Sequence, residues 1–173
     1  MRRYDERTAF LTLRLALGDV RHRVIPFDRV LDEIASGRAE AGLVIHEAQL
    51  TYEAHGLHKV LDLGEWWLLE TGLPLPLGVN VARRDLGDRL PDLSKVLLES
   101  IEAGLDNRDE AMRYALRFGR GIDTETADRF VGMYVNAFTC DYGEEGREAV
   151  EELLRRGDAI GAFPEPVRLD YVS

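Results

Sequence analysis

An imidazole beside a carboxylate is a pair able to move protons, and His46 and Glu47 form such a pair at the end of the stretch AEAGLVIHE, residues 39–47. Neutral imidazole accepts a proton near physiological pH, and a neighbouring carboxylate can orient it. Glu47 has a second reading, as the partner of a surface arginine. The four residues before the pair, Gly42, Leu43, Val44 and Ile45, show no polar alternation. That pattern predicts a short strand covered on both faces, as in a parallel sheet. In open α/β sheets the carboxyl ends of the strands face the ligand crevice, so His46 is expected at a working position. The structural alternative is a histidine that closes the strand through a hydrogen bond.

Other chemistry is thinly represented. Glu53, His55 and His58 are potential metal ligands, but Gly56-Leu57 breaks any shared helical face, and no metal is expected there. The single cysteine, Cys140, excludes an internal disulfide and reads as a packed thiol in a reducing compartment. His22 stands between Arg21 and Arg23 and reads as exposed. The sequence has no GxxxxGK[ST], no GxGxxG after a strand, no HExxH, no CxxC pair and no GxSxG. Nucleotide hydrolysis, ordinary nicotinamide chemistry and zinc hydrolysis lose ground accordingly.

The elements that must position His46 are read from periodicity. Thr8 to Leu17 reads as a short buried helix ended by Gly18-Asp19. Val20 to Phe27 reads as a strand, and Asp28 is placed to cap a helix that buries Val30, Leu31, Ile34 and Ala35 and stops at Gly37. The central strand, Ala41 to His46, comes next, then a turn through Gln49 to Tyr52 and a further strand, Lys59 to Leu63. Strand, helix and strand with short connections imply right-handed crossovers and a parallel sheet. Trp66 and Trp67 follow, one expected in the core and the other free to line a pocket, with packing favoured for both. The stretch Gly72 to Gly78 combines two prolines with two glycines and reads as a hinge, followed by a strand at Val79 to Ala82. From Pro91 onward the pattern is helical. Its apolar faces are Leu93, Val96, Leu97 and Ile101; then Ala111, Met112, Ala115 and Leu116, opened by Asn107 and stopped by Gly119; then Phe130, Val131, Tyr134, Val135 and Phe138, capped by Thr124. Glu148 to Arg156 closes the series with Ala149, Val150, Leu153 and Leu154 inward.

Composition bounds the partners. The 173 residues are 45% hydrophobic and 31% charged, enough for one domain or two small lobes. A formal charge of −10 argues against general affinity for nucleic acid or an anionic membrane. An anionic small molecule needs local positive groups. No segment approaches the roughly 18 apolar residues of a membrane span, and Asp5, Glu6 and Arg14 spoil a signal peptide.

Four blocks carry a family resemblance: AEAGLVIHEAQLTY, LDLGEWW, TGLPLPLGVNVARRDLG and YVNAFTCDYGEEG, in that order. Together they resemble the 1,4-dihydroxy-6-naphthoate synthase family of the futalosine route to menaquinone. The IHE and GLPLPLG blocks set it apart from chorismate dehydratase, a related enzyme of the same pathway. The resemblance implies an α/β fold similar to type II periplasmic-binding proteins, two lobes around a cleft, working in the cytoplasm without cofactor or metal. It implies a lyase converting cyclic dehypoxanthinyl futalosine to 1,4-dihydroxy-6-naphthoate and dihydroxyacetone. His46 matches the family's proton acceptor. Arg7-Thr8-Ala9 falls where the family has Thr-Thr-Ala opening a helix. Hydroxyl and N–H groups there suit a carboxylate, so Thr8 and Ala9 are the expected substrate-binding residues, with an ordinary N-cap as the alternative for Thr8. Arg7 departs from that pattern.

The family also has a stretch ahead of the region matched here, containing the first part of lobe one. The expected organisation is therefore residues 1–73 as lobe two with His46, 74–78 as hinge, and 79–173 as a returning strand and helices of an incomplete lobe one. The expected partners are the small-molecule substrate and either a second copy or the missing N-terminal segment, because helices without their sheet expose apolar surface. Two other readings stay beside the enzyme: a small-carboxylate binding module and an inactive remnant of the same fold.

Overall fold

The structure is a computed structural model, and it describes residues 8–46, 48–118 and 123–172. Thr8–Leu17 forms α1, a ten-residue helix closed by Gly18, whose φ of 73° lets its N–H reach the Arg14 carbonyl at 2.8 Å. A 3₁₀ turn at Phe27–Arg29 runs into α2, Val30–Ala35. Asp28 lies inside that turn rather than at the expected cap of α2, a place taken by Arg29 with no side-chain cap bond. After α3, Ala48–Thr51, and a second 3₁₀ turn comes α4, Leu63–Thr71.

The expected α/β sheet is not there. Among the described residues there is no strand, so the type II periplasmic-binding-protein-like architecture assigned from the sequence is corrected to a helical one. The segments expected as strands, Val20 to Phe27, Ala41 to His46, Lys59 to Leu63 and Val79 to Ala82, run without a ladder, and without helix except at Phe27 and Leu63, where helical elements begin. The physical reason is visible at the central run. An apolar stretch becomes a strand only when neighbouring backbone takes up its N–H and C=O groups. Gly42 instead lies against side chains of α2: a β-carbon there would stand 2.6 Å from Val30 Cγ1 and 2.9 Å from Ile34 Cδ1. Gly42 is exposed, and Leu43, Val44 and Ile45 are half-buried, so the run is not covered on two faces.

The tryptophans also change element, since both lie on α4 instead of following a strand. Asp62 caps α4, accepting from the N–H groups of Gly64 at 3.0 Å and Glu65 at 3.2 Å. Burial pushes the Asp62 carboxyl up, but the backbone N–H of Glu65 and then the Lys59 ammonium outweigh it and hold it below its ordinary range. Trp67 is fully buried, and its Nε1–H donates to the Pro74 carbonyl at 3.2 Å. Trp66 is half-buried against the same cluster.

The chain divides into two compact units. The first comprises Met1–Leu77 and Glu145–Val167, the second Gly78–Glu144 and Arg168–Ser173. The core of the first unit is Leu11 of α1, Trp67 of α4, Leu153 of the long helix α9 (Gly143–Ala159) and Ala162, with Leu15, Trp66, Leu75 and Phe163 around it. Gly157 allows a close approach here: a β-carbon on it would come within 2.7 Å of the Phe163 ring and 3.3 Å of Leu11 Cδ1. Arg156 lies over the Trp67 ring, 5.4 Å from its centroid, and its Nε donates to Glu152 at 2.7 Å.

In the second unit, α5 (Leu90–Asp106) has Pro91 in its first turn, α6 spans Arg108–Ala115, α7 spans Thr124–Tyr134 and α8 spans Ala137–Cys140. The cap of α7 is Asp123 rather than Thr124, its carboxylate accepting from the Thr126 N–H at 2.9 Å. Phe138 belongs to α8, where Asn136 and Thr139 form a capping box. Arg108 joins α6 to α7 through Asp128 at 2.9 Å. Gly119, the expected stop after Leu116, lies outside the described residues.

Candidate functional site

His46 closes the irregular run and stands just ahead of α3. Its φ is 64°, the left-handed region that non-glycine residues rarely occupy, and no other non-glycine residue among those described has a positive φ. Two contacts hold it there. The N–H of Gln49 donates to its carbonyl at 3.1 Å, and its ring packs on Phe27 at 4.5 Å between centroids, tilted by 52°. Phe27 comes from the 3₁₀ turn ahead of α2, so the short helical elements on either side of the run fix the imidazole. The side chain is half-buried, which leaves part of it open to a ligand. A strained backbone kept by its surroundings at a half-buried imidazole is a pattern found at working residues.

Thr8 and Ala9 occupy the first turn of α1, both half-buried. The Thr8 carbonyl accepts from the Thr12 hydroxyl at 2.8 Å, a bond that ties the first turn down without using the Thr8 hydroxyl. N–H groups in the first turn of a ten-residue helix have no partner within the helix and carry the positive end of its dipole, a favourable place for a carboxylate. Among the described residues no hydrogen bond or ring contact links Thr8 or Ala9 to His46. Arg7 and Glu47, both singled out from the sequence, lie outside the described residues.

The other histidines are placed differently. His55 Nδ1 donates to the Thr51 carbonyl at 3.1 Å, and His22 Nδ1 to the Val20 carbonyl at 2.9 Å. Among the described residues no group of three or more His, Cys, Asp or Glu side chains is gathered as a metal would need. Cys140 is a free, half-buried thiol. Sequence reasoning missed Phe27 as the neighbour of His46, because nothing in a separation of nineteen residues announces a ring contact.

Residues 4–159 match the family model described as menaquinone biosynthesis. The chain belongs to that family. A 1,4-dihydroxy-6-naphthoate synthase of Streptomyces coelicolor is 40% identical over 164 residues, covering 91% of this chain and 58% of that protein. One from Thermus thermophilus is 44% identical over 144 residues, covering 82% of this chain and 53% of its own. Among solved structures, a protein of Archaeoglobus fulgidus is similar with a TM-score of 0.85 at 41% identity, covering 91% of this chain and 60% of that one. The chain therefore spans a little over half the length of the family members it matches. Both the α1 first turn and His46 lie within the region that the family model spans.

Proposed function

We propose that this member of the menaquinone biosynthesis family works as a 1,4-dihydroxy-6-naphthoate synthase, a lyase acting on cyclic dehypoxanthinyl futalosine with dihydroxyacetone as the second product. The observation that carries the reading is 40–44% identity to two synthases over most of this chain. His46 is the general base, accepting a proton from the substrate beside its carbonyl as the carbon–carbon bond breaks. Thr8 and Ala9 hold the substrate carboxylate through the first turn of α1. The chain's own groups supply this chemistry, without cofactor or metal. The proposed setting is the cytoplasm; among the described residues no helix is long and apolar enough to cross a membrane.

A second reading is a module that binds a small carboxylate without turning it over. His46→Ala separates the two. The synthase reading predicts loss of turnover with ligand affinity largely kept, because the base acts in the transition state. An unchanged ligand recovered from the wild-type chain supports the module.

A further inference from the structure

A second site is built on α1 from residues that the proposed reaction does not use. Phe10 and Arg14 are four residues apart, so they share one face of the helix. Gly18 then turns the chain, and Asp19, Val20 and His22 come back beside that face. The five side chains line a hollow of about 170 Å³.

The hollow has a defined polarity. His22 Nδ1 lies 2.9 Å from the Val20 carbonyl, and a carbonyl only accepts, so Nδ1 carries a hydrogen and Nε2 is the one ring nitrogen that can accept. The His22 ring stands 4.5 Å from Phe10, tilted by 54°, and the two rings make an aromatic wall. Arg14 contributes the cation. Its side chain is only 23% exposed, and its Nε donates to Asp19 at 3.1 Å; among the described residues no hydrogen bond engages its two Nη groups. Asp19 is 88% exposed, so it meets Arg14 from the water side and can yield the guanidinium to a carboxylate entering the hollow. In a chain of net charge −10, an anion settles only where such a local cation offsets the overall field.

We propose that this hollow binds a small, single-ring aromatic hydroxy-carboxylate: the carboxylate on Arg14, the ring against Phe10, and the hydroxyl donating to His22 Nε2. It shares no residue with the His46, Thr8 and Ala9 site, so the two proposals stand apart.

The test is calorimetric titration of the wild-type chain with 4-hydroxybenzoate and with benzoate. Saturable one-to-one binding is expected, tighter for 4-hydroxybenzoate, with that preference abolished in His22→Phe. Arg14→Gln should weaken binding at least tenfold. Asp19→Asn, at an exposed position where folding is not at stake, should tighten it severalfold by removing the competing carboxylate. The proposal is overturned by absence of binding at millimolar probe, by an Asp19→Asn variant with wild-type affinity, or by an Arg14→Gln variant that keeps it, which assigns the probe to the other site.

Discussion

His46 combines an ionisable ring left half open with a left-handed backbone, a cost that a merely structural residue would shed. A non-glycine residue in that region gives up about 1–2 kcal/mol relative to the right-handed helix. Replacing it with glycine should therefore leave the thermal midpoint unchanged or raised while turnover disappears; His46→Ala, which keeps the strain, should lose turnover without that gain. A glycine variant no more stable than the alanine variant would show that backbone strain does not govern this position. At the same scale, Glu152 is held down to about 2, first by the Arg155 guanidinium and then by that of Arg156. Its ordinary value is 4.5, so the unfolded chain takes up the proton first as pH falls. The stabilisation is complete above about 4.5, declines below it and is gone once the folded carboxyl is protonated near 2. The melting temperatures of wild type and Glu152→Gln should differ by a constant amount above pH 5 and converge as the pH approaches 2. A gap that persists at pH 2 would place the effect in packing rather than charge.

Among the elements, α1, α4 and α9 hold the first core together, and Gly157 is where α9 comes closest to Phe163 and Leu11. Alanine is the better helix former by about 1 kcal/mol. Its β-carbon nevertheless has no room beside a half-buried ring, and overpacking costs about 1–3 kcal/mol. Chemical denaturation should show Gly157→Ala to be less stable than wild type; a more stable variant would mean that Phe163 moves aside freely. The helices were legible from apolar spacing, helix-forming residue types and terminators; on α1 the apolar residues leave the period ambiguous, and the helix formers with the closing Gly18 report it. The extended segments were not. Gly42 to Ile45 reads as a strand by composition, yet pairing is a property of neighbours, and α2 lies beside Gly42 where a strand was expected. Asp62 followed three residues later by Glu65 is a helix-start signal, but it overlaps the stretch Lys59 to Leu63, which reads as a strand. For the candidate site, position and resemblance picked out His46, but no sequence pattern foretells its φ of 64° or the ring of Phe27.

At the scale of the whole molecule, apolar surface is left uncovered. On α5, Leu93, Val96 and Leu97 lie at helical spacing on one face and all are exposed, Val96 by 61%. A stripe of this kind favours association. Sedimentation velocity should find the chain self-associating at micromolar concentration, and Val96→Glu should shift it towards the monomer; a wild-type chain monomeric at all concentrations would contradict that expectation. Membership of the family and the similarity to an Archaeoglobus fulgidus structure at a TM-score of 0.85 set the molecule's relationships, while the relatives extend well beyond the matched region.

The measurement that bears most directly on the account is single-turnover conversion of cyclic dehypoxanthinyl futalosine by the 173-residue chain, followed by the appearance of 1,4-dihydroxy-6-naphthoate, for wild type and His46→Ala side by side. The account predicts product from the wild type and none from the variant, with substrate bound by both. Substrate bound but unconverted by the wild type, or product formed equally by the variant, would contradict it.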